Sequence, residues 1–379
     1  MAGLDGIRGL AALFVVLHHS WLMSFPGFPA PVGPWWAAWL AYGHFAVVIF
    51  IVLSGFSLAV SPARNEWRIN SLRRFAFRRA WRILPPYWPA LLYSCIVAWT
   101  LVPQPGEGAP TLKSIVVHGL LLQDVFGSPS PNGAFWSIAV EAQLYLVFPL
   151  MLLIIRRWGA SVMLSAVTLT VVLVGALAPI VRPVGELMRF TPQFAALFAL
   201  GAVAAGIVVA ADRWRALPWH WFSLAAAVPV ALFIAIIGPE WTVKHFFWVD
   251  LSLGPAFGFL LAAVATGRPR SFVWLLDTRP VRSLGSFSYS LYLIHAPIVV
   301  SVHTLLIAPN TEPGVGQFLI TLAVCVPLSV VAARLFAGVF ELPFTRNRSV
   351  EALKQALLRR NNQPEQLAAA VPDSPAVTP

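Results

Sequence analysis

Long unbroken apolar runs, rather than the alternating or one-sided patterns of soluble proteins, dominate this chain down to about residue 341. Roughly 20 consecutive apolar residues suffice for one helix to cross the hydrocarbon core, and a helix satisfies its own backbone groups there. The runs predict ten spans, at 7–24, 37–59, 84–102, 135–155, 161–181, 188–211, 219–238, 248–266, 286–308 and 316–340. The expected fold class is therefore all-α: a polytopic membrane protein, a bundle of about ten transmembrane helices. The run 111–127 is apolar but short, and Lys113, His118 and Asp124 interrupt it. Counting it as a span would invert every later loop, so it reads as an outer-face or re-entrant segment. From about residue 361 the chain is rich in Pro, Gln and Ala without an apolar period, which predicts disorder. Two regions result, a membrane domain at 1–344 and a tail at 345–379.

Composition agrees. Hydrophobic residues make up 58% of the chain and charged residues 11%, whereas soluble domains carry about 25% charged residues; an ordinary soluble fold is excluded. The net charge of +11 would suit a nucleic-acid partner if it formed one patch, but it is divided among alternate loops. With both termini cytoplasmic, Arg8, Arg64 to Arg82, Arg156, Arg157, Arg213, Arg215, Arg268 to Arg282 and the basic residues after Arg346 all fall on the inner side, as the positive-inside rule requires. No nucleic-acid partner is expected. Only the stretch from Arg64 to Arg82 is denser than orientation needs, and such clusters bind anionic lipid or a phosphorylated ligand; charge alone leaves both open. Cys95 and Cys325 stand alone in apolar runs with no metal-ligand spacing, so no metal is expected. The run Leu10–Val16 has the length of a signal-peptide core, but no basic region beyond Arg8 precedes it and no small-residue cleavage site follows. It is expected to remain as the first span.

Ionisable residues inside spans are costly, and each is a functional candidate. Arg8 and His19 lie eleven residues apart, about three turns and 16 Å of helical rise, on one helix face. His18 points about 100° away and reads as a packed histidine. Ser137, Glu141 and Tyr145 share a face at i, i+4 spacing, and Ser288, Tyr292 and His295 form another polar stripe. A buried Glu needs a partner. A histidine with a carboxylate nearby suits general-base chemistry on a hydroxyl; the same set suits a proton relay in a transporter or flippase. The stripes alone leave both readings open, although no repeat between the halves, a frequent mark of transporters, is visible.

The stretch from Leu4 through Arg8 to His18-His19 resembles the opening of the acyltransferase type 3 family. Further matches follow in the family's order. They are Phe50 to Phe56 with Ser54-Gly55, Arg78-Arg79-Ala80-Trp81-Arg82, Trp136 to Pro149, Tyr289 to His295, and Phe340-Glu341-Leu342-Pro343-Phe344. The resemblance covers residues 4 to 344. It implies a membrane-embedded O-acyltransferase, usually an O-acetyltransferase, that moves an acyl group from acyl-CoA, typically acetyl-CoA, to a hydroxyl of a carbohydrate or glycosylated acceptor. It further implies that Arg78, Arg79 and Arg82 hold the donor's phosphates, with Arg8 contacting the donor as it enters. The mechanism expected on this basis has His19 as the reacting group, with Glu141 or His295 orienting it. His19 would act as general base or as transient acyl carrier; the sequence does not choose. Ser54, Trp136 and Tyr292 are expected to pack or to position substrate, and Trp35, Trp36 and Trp241 to anchor at the membrane interface. The expected location is a bacterial plasma membrane. Two departures stand out. Many members have two acidic residues where this chain has Glu141 followed by Ala142. Some carry a hydrolase-like domain after the membrane part, and this chain is expected to work alone or with a separate partner protein.

Overall fold

The computed structural model describes residues 1–30, 33–347 and 349–355; the region from about residue 361, expected to be disordered, lies outside them. Among the described residues every regular element is helical. Eight helices are long and apolar enough to cross a membrane, or nine if a bent pair counts as one span, and the chain is a multi-pass integral membrane protein. The principal helices are α1 (Leu4–Ser24), α2 (His44–Ala63), α3 (Leu72–Thr100), α4 (Leu112–Gly119), α5 (Trp136–Trp158) and α6 (Ala160–Leu177). They are followed by α7 (Gln193–Ala204), α8 (Trp219–Ile237), α9 (Phe246–Ala265), α10 (Arg279–Ser286), α11 (Ser288–Val302) and α12 (Val315–Phe340).

Every predicted span finds a helix, with four local differences. The span at 37–59 divides: Trp35–Tyr42 is a 3-10 helix and α2 starts only at His44. Between them Gly43 passes so close to the His18 ring that a Cβ would overlap it. The span at 84–102 is the apolar half of α3, a 29-residue helix that begins at the Ser71 cap, where the Ser71 hydroxyl accepts from Arg74 N. Its arginines are thus part of the helix and not a loop. The span at 188–211 breaks before α7, where the helices Arg182–Phe190 and Gln193–Val208 meet at 52°. Thr191 takes a left-handed conformation there, and the following Pro192 disfavours the α region for it. The last turns of the span at 286–308 open into a π-helix at His303–Ile307.

The segment after α3, expected on the outer face or as a re-entrant piece, folds back along α3. Trp99 Nε1 donates to Pro110 O at 2.7 Å, Trp88 Nε1 to Gly119 O at 3.0 Å and the Tyr87 hydroxyl to His118 O at 3.0 Å. Trp99 and Trp88 are eleven residues apart, so the stretch from Pro110 through α4 to Gly119 runs back along α3 for about 16 Å. Irregular backbone beside a membrane helix needs protein partners for its polar groups, and the α3 aromatics supply them. Gln123 Nε2 then bonds Phe135 O as the chain returns to the start of α5.

The core is built around α1, α2, α7 and α11. Membrane helices gain little from hydrophobicity against one another and pack through small residues. At the α2–α7 crossing, Gly55 faces the Phe198 carbonyl and Gly201 faces the Val52 carbonyl, with no room for a Cβ at either glycine. Cys95 and Cys325 are free and buried. At the other extreme, only 6% of the apolar window of α8 is buried. Val228, Leu232 and Ile236 face outward, and Ser223 Oγ ties α8 to α9 through Ala256 O at 2.8 Å.

The candidate active site

α1 runs the length of the bundle and divides its polar interior into two ends. At its C-terminal end His19 Nδ1 lies 2.9 Å from Val15 O and 3.3 Å from His295 Nε2. The rings meet edge to face at 4.8 Å. His295 Nδ1 in turn lies 2.8 Å from Tyr292 O and 3.1 Å from Leu291 O. A carbonyl only accepts, so the nitrogen facing it carries the hydrogen. Both rings are thereby fixed as Nδ1–H tautomers. His295 Nε2 offers its lone pair to His19, and His19 Nε2 keeps a lone pair of its own.

A cavity of about 220 Å³ adjoins this pair, lined by Val15, His18, His19, Phe28, Ala41, Gly43, His44, Val47, Gly133, Ala134, Trp136, Phe246 and Tyr292. His18 donates through Nδ1 to Leu40 O at 2.7 Å, as expected of a packed histidine, yet it also borders the cavity. The Tyr292 hydroxyl donates to Ala134 O at 2.9 Å and lies 2.6 Å from Ser137 Oγ; it positions the wall between α5 and α11. The turn before α5 hangs from Asn132. Its Oδ1 accepts from Ala134 N at 2.9 Å, and its Nδ2 donates to Leu293 O at 2.8 Å and Ser94 Oγ at 3.2 Å. Leu293 O is free for this because Pro297, four residues on, has no N–H to give it.

Towards the other end stands Glu141. Its Oε1 accepts from Ser54 Oγ at 2.5 Å and from the Tyr145 hydroxyl at 2.6 Å. Its hydrogen-bond partners are these two and not His19, whose ring partner is His295. Ser54 is ten residues along α2 from the cavity-lining His44, about 15 Å of rise, which sets Glu141 below the cavity. Ser57, one turn further, receives Arg8 Nη2 at 2.7 Å, while Arg8 Nη1 pairs with Asp5 at 2.8 Å. Arg82 and Glu141 are among the charges that act on Arg8.

The Arg-Arg-x-x-Arg motif splits by face. Arg78 and Arg82 are exposed, and Arg79 turns inward over the rings of Phe75 and Tyr145 at 5.9 and 6.0 Å. Arg79 Nε is buried with no hydrogen-bond partner among the described residues. The side chain closes a cavity of about 320 Å³ whose other walls are apolar and include Leu72, Phe75, Leu84, Leu121, Ala142 and Tyr145. A guanidinium thus stands at the end of an otherwise apolar groove. Ala142, where the resembling family often has a second acid, gives that groove an apolar wall. Glu341 clamps the start of α11, accepting from Ser290 N at 3.0 Å and Ser290 Oγ at 2.6 Å; a carboxylate at a helix N-terminus is favourable.

The structure also assembles a pair that sequence reasoning passed over. His44 Nε2 lies 2.9 and 3.1 Å from the carboxylate oxygens of Asp250, and Gln193 Nε2 donates to the same carboxylate at 3.3 Å. Asp250 is fully buried. Each residue lies inside a predicted span, so the rule that singled out Glu141 would have found both.

Paired histidines thus border an interior cavity, with arginines at the opposite end of a polytopic bundle. The chain belongs to the acyltransferase family whose model, described as an acyltransferase domain, matches residues 1–334. It is similar to the peptidoglycan O-acetyltransferase OatA of Listeria monocytogenes, at 23% identity over 93% of this chain and 57% of that protein. The putative peptidoglycan O-acetyltransferase YrhL of Bacillus subtilis is 29% identical over 79% of this chain and 48% of its own length. The acyltransferase MdmB of Streptomyces mycarofaciens is 26% identical over 89% and 88%. The chain thus spans about half the length of the first two relatives. No solved structure matches it. Family and helices together make it a multi-pass membrane member of the acyltransferase family.

Proposed function

We propose that the chain is an O-acetyltransferase that moves an acetyl group from acetyl-CoA to a hydroxyl of a carbohydrate of the cell envelope. The observation that carries this reading is the free Nε2 of His19, oriented by His295, at the edge of a cavity eleven residues up α1 from Arg8. In this reading the arginine end faces the cytoplasm, in keeping with the positive-inside rule, and both termini lie there. Arg79, with Arg78 and Arg82 beside it, holds the donor's phosphates, for which forked guanidinium donors are suited. Arg8 contacts the arm as it enters, and the separation of about 16 Å brings the thioester to His19. Glu141 acts from the donor side, holding Ser54 and Tyr145 beneath Arg79.

His19 Nε2 either takes the proton of the acceptor hydroxyl or receives the acyl group itself. In both cases the positive charge that develops on the imidazole is shared through Nδ1–H with His295. The carbohydrate class of the acceptor is supported by the two relatives named for peptidoglycan O-acetylation. The test is transfer of labelled acetate from acetyl-CoA in membranes containing the wild type or His19→Ala, with cell-wall glycans and lipid-linked sugars offered. Transfer by the wild type alone is expected; equal transfer by both would sink the reading.

A further inference from the structure

We infer that His44, held by Asp250, is the base that takes the proton from the acceptor hydroxyl, leaving His19 to carry the acyl group. This rests on the acyl-transfer reading above and assigns the second wall of the same cavity.

The geometry is that of a rigid, tautomer-fixed imidazole. A carboxylate accepts, so Nε2 of His44 carries the hydrogen that Asp250 receives. The ring is sandwiched between Phe246, at 3.9 Å and 15°, and Trp136, at 5.8 Å and 7°, so it cannot turn away. Nδ1 makes no hydrogen bond among the described residues and is not sealed from the cavity that His44 lines. Asp250 is itself fixed, accepting also from Gln193. A fully buried carboxylate is costly unless paired, and its gain is greatest when the ring it faces becomes an imidazolium. This is the arrangement a general base requires, with a free nitrogen towards the reacting proton and an orienting carboxylate behind. His19 differs, its ring partner being the imidazole of His295 and not a carboxylate, which leaves its free lone pair for carbon.

The steps balance. His19 Nε2 attacks the thioester carbonyl, the C–S bond breaks and CoA leaves as the thiolate, which takes a proton from water on its own side. The acceptor O–H gives its proton to His44 Nδ1 as its oxygen attacks the acyl carbon. The C–N bond to His19 then breaks, and His44, now charged beside Asp250, returns its proton to water. Acyl-CoA and an alcohol become an ester and CoA.

The experiment compares two nucleophiles on purified protein with acetyl-CoA. Chitotetraose is a soluble carbohydrate hydroxyl acceptor that needs a base, and hydroxylamine attacks without one. His44→Gln and Asp250→Asn are expected to lose about 10²- to 10⁴-fold with chitotetraose, the range that general-base catalysis supplies, and to stay near the wild-type rate with hydroxylamine. Equal loss with both nucleophiles, or no loss with either, would overturn the assignment. So would a wild type that acetylates hydroxylamine but never chitotetraose. A wild type silent towards both overturns the acyl-transfer reading instead. Elution as a single folded species on size exclusion accompanies each variant.

Discussion

His295 Nε2 lies 3.3 Å from His19 Nδ1, and each ring has its own Nδ1 turned to a carbonyl of its own helix. Each ring is thereby locked by local backbone, and the pair forms wherever α1 and α11 pack. His295 is fully buried, so its contribution passes through His19 and not through substrate. His295→Ala is expected to lower turnover by about 10²-fold, the low end of acid–base effects, with the acceptor KM unchanged. Steady-state kinetics on the variant check this; a change confined to KM would argue for direct substrate contact.

Arg79 is the arginine of its motif that is turned inward with an unpartnered nitrogen. A charge-assisted hydrogen bond is worth about 1.5–3 kcal/mol, so Arg79→Ala should raise the acetyl-CoA KM by about 10- to 100-fold. The KM for a thioester of N-acetylcysteamine, which lacks phosphates, should hardly move. Parallel increases for both donors would remove Arg79 from phosphate binding.

Glu141 receives two hydroxyl donors on one oxygen. Ser54→Ala and Tyr145→Phe are each expected to destabilise by about 1–3 kcal/mol. Because the three groups form one network, the double variant should depart from additivity by about 0.5–3 kcal/mol. Thermal unfolding in a fixed detergent measures all three.

Substituting Gly201 by Val pits a side chain against the Val52 carbonyl. Elsewhere in a helix such a change relieves the entropic cost of glycine, but here overpacking of about 1–3 kcal/mol or more is expected, seen as loss of monodisperse protein. The same change at Gly338, which meets nothing within 4 Å, should be tolerated.

Orientation is open to a chemical check. The native cysteines are buried, so introduced ones report alone. Glu107→Cys should react with an impermeant maleimide on intact cells and Asn65→Cys only after permeabilisation. The reverse pattern would invert the topology.

The spans were legible because hydrocarbon imposes one requirement on many consecutive residues, and apolar runs record it directly. The start of α3 was not, since arginines continue a helix as readily as leucines do once it leaves the bilayer. The bend at Thr191 was hidden because the signal of Pro192 is local while the run around it is apolar. Within the site, the Arg8 and His19 spacing was readable from helical geometry alone. That His295 and not Glu141 reaches His19 depends on how far α5 and α11 are offset, which no single helix records. His44 and Asp250 are 206 positions apart; each was visible as a misfit in its own run, but their pairing is a product of the fold.

The segment that folds back along α3 carries a consequence for biogenesis. α4 is eight residues long, too short to span a bilayer by itself, and three carbonyls in and around it accept from Tyr87, Trp88 and Trp99 of α3. It is therefore not expected to insert as an independent span. The three partners all lie on α3, which precedes it in the chain, so the order of synthesis is also the order in which these partners become available.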